Sequence, residues 1–236
     1  MGMKLRDILL IIQNLEKYNL NFKDLSIIEL GEQELKLWEH HLNNEYIKKW
    51  LSTNPRKWPT RPPSNRSGFF SKDFFNYYFK KCTAVDFECH CDQSLKIDLE
   101  KDVFQQNINE PFDILTNLGT TEHVGQITTT TRNPQYHAFK NVHNLVKKGG
   151  FFFHNIPYAK DKNHLLMHGA YCYNETFIKQ LSEKNNYTIL KNELYMGEER
   201  PNFLDAFLIK NEDNEFMSEE EFDKLEGLFE TPLRKK

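Results

Sequence analysis

Short apolar runs, each with an acidic or amide residue at or near its end, recur in order along the chain and constrain the fold more than any other feature. Ser26-Ile27-Ile28-Glu29-Leu30 is the first and closes on Gly31; Ala84-Val85-Asp86, Ile97-Asp98-Leu99 and Phe112-Asp113-Ile114-Leu115-Thr116-Asn117 follow. Runs of this kind, with little polar alternation, suit parallel strands buried on both faces. Open parallel sheets bind ligands in the crevice beyond the carboxyl ends of their strands. Acids and amides at those ends are therefore placed to meet a ligand, and a glycine there lets backbone approach it closely.

The remaining elements agree with such a sheet. Leu5, Ile8, Leu9, Ile12 and Leu15 recur at helical spacing and predict a helix over 5–18. Strands are expected at 26–30, 83–87, 95–99, 112–118 and 151–156, with helices near 134–146 and 174–184. Lys147-Lys148-Gly149-Gly150 reads as a helix end with basic residues and a glycine cap. Runs at 188–195 and 204–210 have no helix between them and should pair antiparallel. The expected architecture is α/β, a doubly wound Rossmann-like sheet of seven mostly parallel strands with an antiparallel last strand. Residues 1–210 form one domain, interrupted at about 36–81 by a helical, aromatic-rich insertion. Within the long connection after Gly31, 32–51 reads as helical, 54–63 as a proline-rich loop, and 74–79 as a helix opened by Ser71. Residues 211–236 form an acidic tail; Ser218-Glu219-Glu220-Glu221 is a capping-box pattern opening a short helix. The acidic stretch is expected to be solvated or mobile, with Phe222, Leu225, Leu228 and Phe229 available to dock.

Several function classes are disfavoured. A net charge of -3 gives no electrostatic case for a nucleic-acid partner. Arg56, Arg61 and Arg66 lie among Trp38, Trp50, Trp58, Phe69 and Phe70, a thin basic footprint. That cluster reads as a small aromatic core, or as a lid over a bound acceptor. No apolar run reaches the roughly 18 residues of a membrane span. Ile8 to Ile12 is too short for a secretory core, so a cytoplasmic location is expected. Cys89-His90-Cys91 has the look of a metal fragment, but neighbouring strand positions diverge and no second Cys/His pair follows. No metal is expected there, and the thiols are expected to be free.

Taken in order, these motifs resemble the class I S-adenosylmethionine-dependent methyltransferases. Glu29-Leu30-Gly31 resembles the start of that family's first motif, and Asp86 stands where its acid holds the ribose hydroxyls. Asp98-Leu99 resembles the pair that meets the adenine. Phe112-Asp113-Ile114 with Glu122-His123-Val124 resembles the fourth strand and its ending, and Lys147 to Phe151 the entry to the fifth. The resemblance covers about 25–210 and implies S-adenosylmethionine as cofactor, held by Glu29, Gly31, Gln33, Asp86, Asp98, Leu99 and Asn117. The family usually carries two or three glycines in its first motif; here Gly31 stands alone, leaving Gln33 and backbone amides for the methionine end.

On the acceptor side the resemblance implies catalytic roles for Glu122 and His123, since a hydroxyl acceptor profits from a base poised near neutrality. A second reading makes His123 a loop residue that steadies the turn after Asn117. Asn117 itself could hold the cofactor's amino end, hold the acceptor, or make a turn with Gly119. His154, Asn155, His168, Tyr171 and Tyr173 are further candidates for lining an acceptor pocket. The expected activity is methyl transfer to an oxygen or nitrogen of a small molecule. Two alternatives stand beside it: a protein of this fold that binds without turnover, and a methyltransferase acting on RNA or protein.

Overall fold

The computed structural model describes residues 2–37, 39–53, 69–88, 94–126, 130–195 and 202–234. The proline-rich loop with Trp58, Arg56, Arg61 and Arg66, and the Cys89-His90-Cys91 segment, lie outside the described residues, as does Trp38.

In chain order the elements are β1 (Gly2–Lys4), α1 (Leu5–Glu16), β2 (Ser26–Leu30), β3 (Glu34–Lys36), α2 (Glu45–Thr53), α3 (Ser71–Tyr78), β4 (Lys81–Asp86), β5 (Leu95–Lys96) and β6 (Phe112–Leu118). Then come α4 (Pro134–Asn144), β7 (Val146–Pro157), β8 (Tyr171–Tyr173), α5 (Glu175–Asn185), β9 (Tyr187–Tyr195), β10 (Phe203–Lys210), α6 (Glu219–Phe222) and β11 (Leu228–Glu230). The central sheet runs β5-β4-β2-β6-β7-β10-β9. Neighbours from β5 through β7 are parallel, and β10 is antiparallel to both β7 and β9. The chain works outward from β2 to β5, returns to the other side of β2 at β6, and so makes a switch point between β2 and β6.

Successive strand residues face opposite layers. Ile28, Leu30, Val85, Leu115 and Phe152 pack with Phe139 of α4 and Phe177 of α5 on one face. Ile27, Ile114, Phe151 and Phe153 pack with α1, Trp50 of α2, and Phe74 and Phe75 of α3 on the other. Trp50 meets Phe69 and Phe74 edge-on at 5.1 and 5.5 Å, so the aromatic residues after β3 form a core against the sheet. Each fully buried Phe contributes about 1.5–3 kcal/mol through removal of apolar surface from water.

Three local expectations are corrected. The stretch after Gly31 is not helical from Glu32: β3 forms first, pairing in parallel with β1, and α2 begins only at Glu45. Ser71 does not cap α3, because its hydroxyl is used by Glu29 and the Gln33 carbonyl. Lys147-Lys148-Gly149-Gly150 belongs to a strand rather than a helix end. Val146 already pairs with Phe112, and the register shift before Ile114 and Phe151 makes room for the extra residues. Gly149 takes φ 76° in that bulge, and Lys147 reaches Asp113 at 3.0 Å.

The chain after β10 is anchored as well. Phe216, Met217 and Phe222 are buried with Tyr136, Phe139 and Phe177, the capping box at Ser218 forms, and β11 pairs with β8. The acidic residues face water while Phe216 and Met217, ahead of α6, and Phe222 at its end enter the core.

Candidate functional site

A cavity of about 380 Å³ opens at the carboxyl edge of the sheet, over the switch point. That volume is within the range of small-molecule sites, about 300–1,000 Å³. Its walls come from three turns: 31–33 after β2, 86–88 after β4, and 119–125 after β6, with Ile97 to Glu100 closing the side.

The first turn is fixed by hydrogen bonds to its backbone. Gly31 N donates to the Val85 carbonyl at 2.8 Å, Glu32 N to Asp86 Oδ2 at 2.9 Å, and Gln33 N to Glu29 Oε1 at 3.0 Å. Gly31 sits at φ 76°, and a Cβ there would collide with the Thr120 hydroxyl and crowd Gln33 Nε2 at 2.9 Å. Thr120 in turn donates to the Leu30 carbonyl at 2.7 Å, tying the β2 and β6 turns together.

Asp86 links wall and turn. Besides Glu32 N, its carboxylate accepts from Glu88 N at 2.9 Å, so its orientation at the cavity edge is set from both sides. Asp98 accepts from Glu100 N at 3.0 Å and pairs with Lys101 at 2.9 Å. Glu100 is buried and takes the amide and hydroxyl groups of Thr130 and Thr131 at 2.8–3.1 Å, closing the wall behind Leu99. The charged residues lining the cavity are Glu32, Asp86, Glu88, Asp98 and Glu100, with no lysine or arginine among the described residues. Such a cavity favours a cation.

Gly31, Gln33, Asp86, Asp98, Leu99 and His123 thus line one cavity. Glu29, Asn117 and Glu122 do not. Glu29 faces the Ile27 side of the sheet, fully buried, where it accepts from Gln33 N and the Ser71 hydroxyl. Burial pushes its carboxyl up to about 8. Asn117 is also fully buried; its amide donates to Thr121 Oγ1 at 2.8 Å and meets His154 Nδ1 at 3.0 Å. Both act on the turns that carry the cavity, Asn117 through Thr121 rather than Gly119. His154 is held at about 4 by burial, and Asn155 is used by Asp205 at 2.7 Å.

Glu122 and His123 sit in a tight turn, Thr121–His123, after β6. Gln135 of α4 holds that turn by donating to the Thr121 carbonyl at 2.8 Å, and Tyr173 donates to Gln135 at 2.6 Å. The Glu122 carboxylate is fully buried, with His123 Nε2 at 3.7 Å and His168 Nε2 at 3.6 Å. Thr120 and Glu100 were not singled out by sequence. Thr120 follows a loop glycine without any pattern of its own, and Glu100 owes its place to the fold of residues 130–131.

No protein-family model matches the chain, and no curated protein matches it. Solved structures do. The 1,6-didemethyltoxoflavin-N1-methyltransferase of Burkholderia thailandensis, crystallised with 1,6-didemethyltoxoflavin and S-adenosylhomocysteine, aligns with a TM-score of 0.51 and 9% identity over 88% of this chain and 78% of its own. The N-methyltransferase NodS of Bradyrhizobium japonicum WM9, crystallised with S-adenosylhomocysteine, aligns at 0.48 and 15% over 88% and 86%. Likeness at such identity concerns fold, and the Burkholderia enzyme carries it. With its seven strands in this order and the antiparallel β10, the chain has the fold of the class I S-adenosylmethionine-dependent methyltransferases.

Proposed function

We propose that the chain binds S-adenosylmethionine in the cavity over the switch point and transfers its methyl group to an oxygen or nitrogen of a small molecule. The observation that carries this reading is the wall itself: an acid fixed at the end of β4, an acid and a leucine beside β5, and a glycine turn after β2, all around one cavity. The residues fit the cofactor. Asp86 has the position and acceptor chemistry for vicinal ribose hydroxyls. Val85, Ile97, Leu99 and Val124 supply apolar surface for an adenine, with Asp98 beside them for its amino group. The carboxylates of the wall suit a sulfonium and an ammonium. Bound there, the cofactor would supply an electrophilic methyl group.

The protein's own contribution to an in-line displacement is positioning and exclusion of water. His123 stands at the β6 side of the cavity with Glu122 buried behind it, and the two are proposed to orient and polarise the acceptor. Placing the acceptor there rather than beside β5 leaves the acids of the adenosyl wall to the cofactor.

A second reading, binding without turnover, is favoured by one specific observation. The amides of Gly31, Glu32 and Gln33 are all bonded within the protein, so they are not available in this arrangement for a methionine carboxylate. Calorimetric titration with S-adenosylmethionine and S-adenosylhomocysteine separates the readings. Micromolar binding that is lost in Asp86→Ala supports the cofactor site. A folded protein that binds neither at millimolar concentration sinks it.

A further inference from the structure

We propose that Glu122, His123 and His168 form a divalent-metal site, of a chemistry best suited to Zn2+, at the acceptor end of the cavity. One carboxylate oxygen and one nitrogen from each imidazole lie within 4.8 Å of one another. Glu122 Oε1 is 3.7 Å from His123 Nε2 and 3.6 Å from His168 Nε2. These are longer than hydrogen bonds, which run to about 3.2 Å for nitrogen and oxygen. They match the spacing of atoms that share an ion: ligands about 2.1 Å from a tetrahedral zinc lie about 3.4 Å apart.

The orientation of the ring points the same way. His123 Nδ1 lies 2.6 Å from Gln126 Oε1, and this contact turns Nε2 toward the Glu122 carboxylate. An imidazole oriented through its other nitrogen in this way is what outer-shell bonds provide in metal sites. Two histidines and one carboxylate are also a recurring ligand set for zinc and other first-row metals.

The three groups are built into place from separate parts of the chain. The Glu122–His123 turn is held by Gln135, Asn117 and Tyr173. The His168 segment is pinned against it: Ala170 N donates to the Glu122 carbonyl at 2.8 Å, and a Cβ on Gly169 would lie 2.6 Å from Glu122 Cγ. Thr231 then donates to the Gly169 carbonyl at 2.5 Å and to the Ala170 carbonyl through its own amide at 2.8 Å. Glycine at 169 is thus required for the two segments to approach. His123 itself lines the cavity, and both histidines are partly exposed, so a further coordination position would face the acceptor. An oxygen or nitrogen of the acceptor would bind there, and its acidity would rise. Metal binding needs none of the cofactor reading; only this role toward the acceptor rests on it.

The test is titration of chelator-treated, full-length protein with Zn2+ alone, read by calorimetry, with Co2+ as a spectroscopic probe of coordination. One equivalent should bind. Affinity should fall about 100-fold or more in His168→Ala and in His123→Ala, since a lost outer-shell partner alone is worth about 10–100-fold. Cys89→Ser with Cys91→Ser should leave it unchanged. Circular dichroism of each variant confirms folding, and the half-exposed His123 provides the second variant if the first is unstable. The proposal is overturned if no equivalent binds, if both histidine variants bind as the parent does, or if binding disappears only with the cysteines. Titration with S-adenosylmethionine in the absence of metal tests the cofactor reading separately.

Discussion

At the scale of single residues, the site is held by groups that serve the turns rather than the ligand. Gly31 is the sharpest case, because both its positive φ and the space in front of it exclude a side chain. Gly31→Ala should destabilise the protein by about 1–3 kcal/mol, the range for strained backbone, as measured by denaturant unfolding. Asp86→Asn keeps the shape but weakens a charged acceptor that two amides and a ribose would share. Cofactor affinity should fall about tenfold to a hundredfold while the unfolding midpoint moves much less. Equal losses of affinity and stability would show Asp86 to be only a turn residue. Glu29 illustrates why a strand-end acid need not meet a ligand. Alternation sends its side chain to the same face as Ile27, under the turn, where Ser71 is waiting.

Elements decide how much of this was readable in advance. The order of strands followed from the apolar runs at 26–30, 83–87, 112–118 and 151–156, because double burial imposes that composition. That Asp86 and Asp98 stand at the carboxyl edge followed from the runs at 83–87 and 95–99, while Leu99 was singled out through the family resemblance alone. What did not follow was whatever depends on long-range approach. Whether 147–150 ends a helix or bulges a strand is set by Phe112 pairing with Val146. That Asn117 turns inward is set by Thr121 and His154. The acidity of 212–221 concealed Phe216 and Met217, which pack on α4 and α5 together with Phe222, a residue expected to dock. Phe222→Ala should therefore cost about 3–5 kcal/mol, the usual effect of emptying a Phe site in a core. An unfolding midpoint unchanged from the parent would mean that this segment is peripheral after all.

For the molecule as a whole, buried titratable groups set a stability optimum in pH. Burial raises Glu29 to about 8, above its ordinary value of 4.5, so the folded state holds a proton that the unfolded chain releases. Its contribution is complete at low pH and is lost as pH rises through 8. Burial lowers His143 and His154 to about 4, from 6.5, so their contribution is present above 6.5 and is lost as pH falls toward 4. Two protons on the acid limb outweigh one on the alkaline limb, and thermal stability should peak near pH 6.5. In Glu29→Gln the alkaline decline should flatten and the rise from pH 4.5 to 6.5 should steepen, since Glu29 no longer opposes the two histidines there. An unchanged alkaline limb would refute this assignment. The carboxylates around the cavity have a consequence for the order of events in a catalytic cycle. Methyl transfer converts a sulfonium into a neutral thioether, so a cofactor held as proposed would lose one of the two positive charges that the acidic wall attracts, while its ammonium, ribose and adenine contacts would remain. The wall would then bias exchange of the spent molecule for a fresh one through charge, and the bias should weaken as salt is raised.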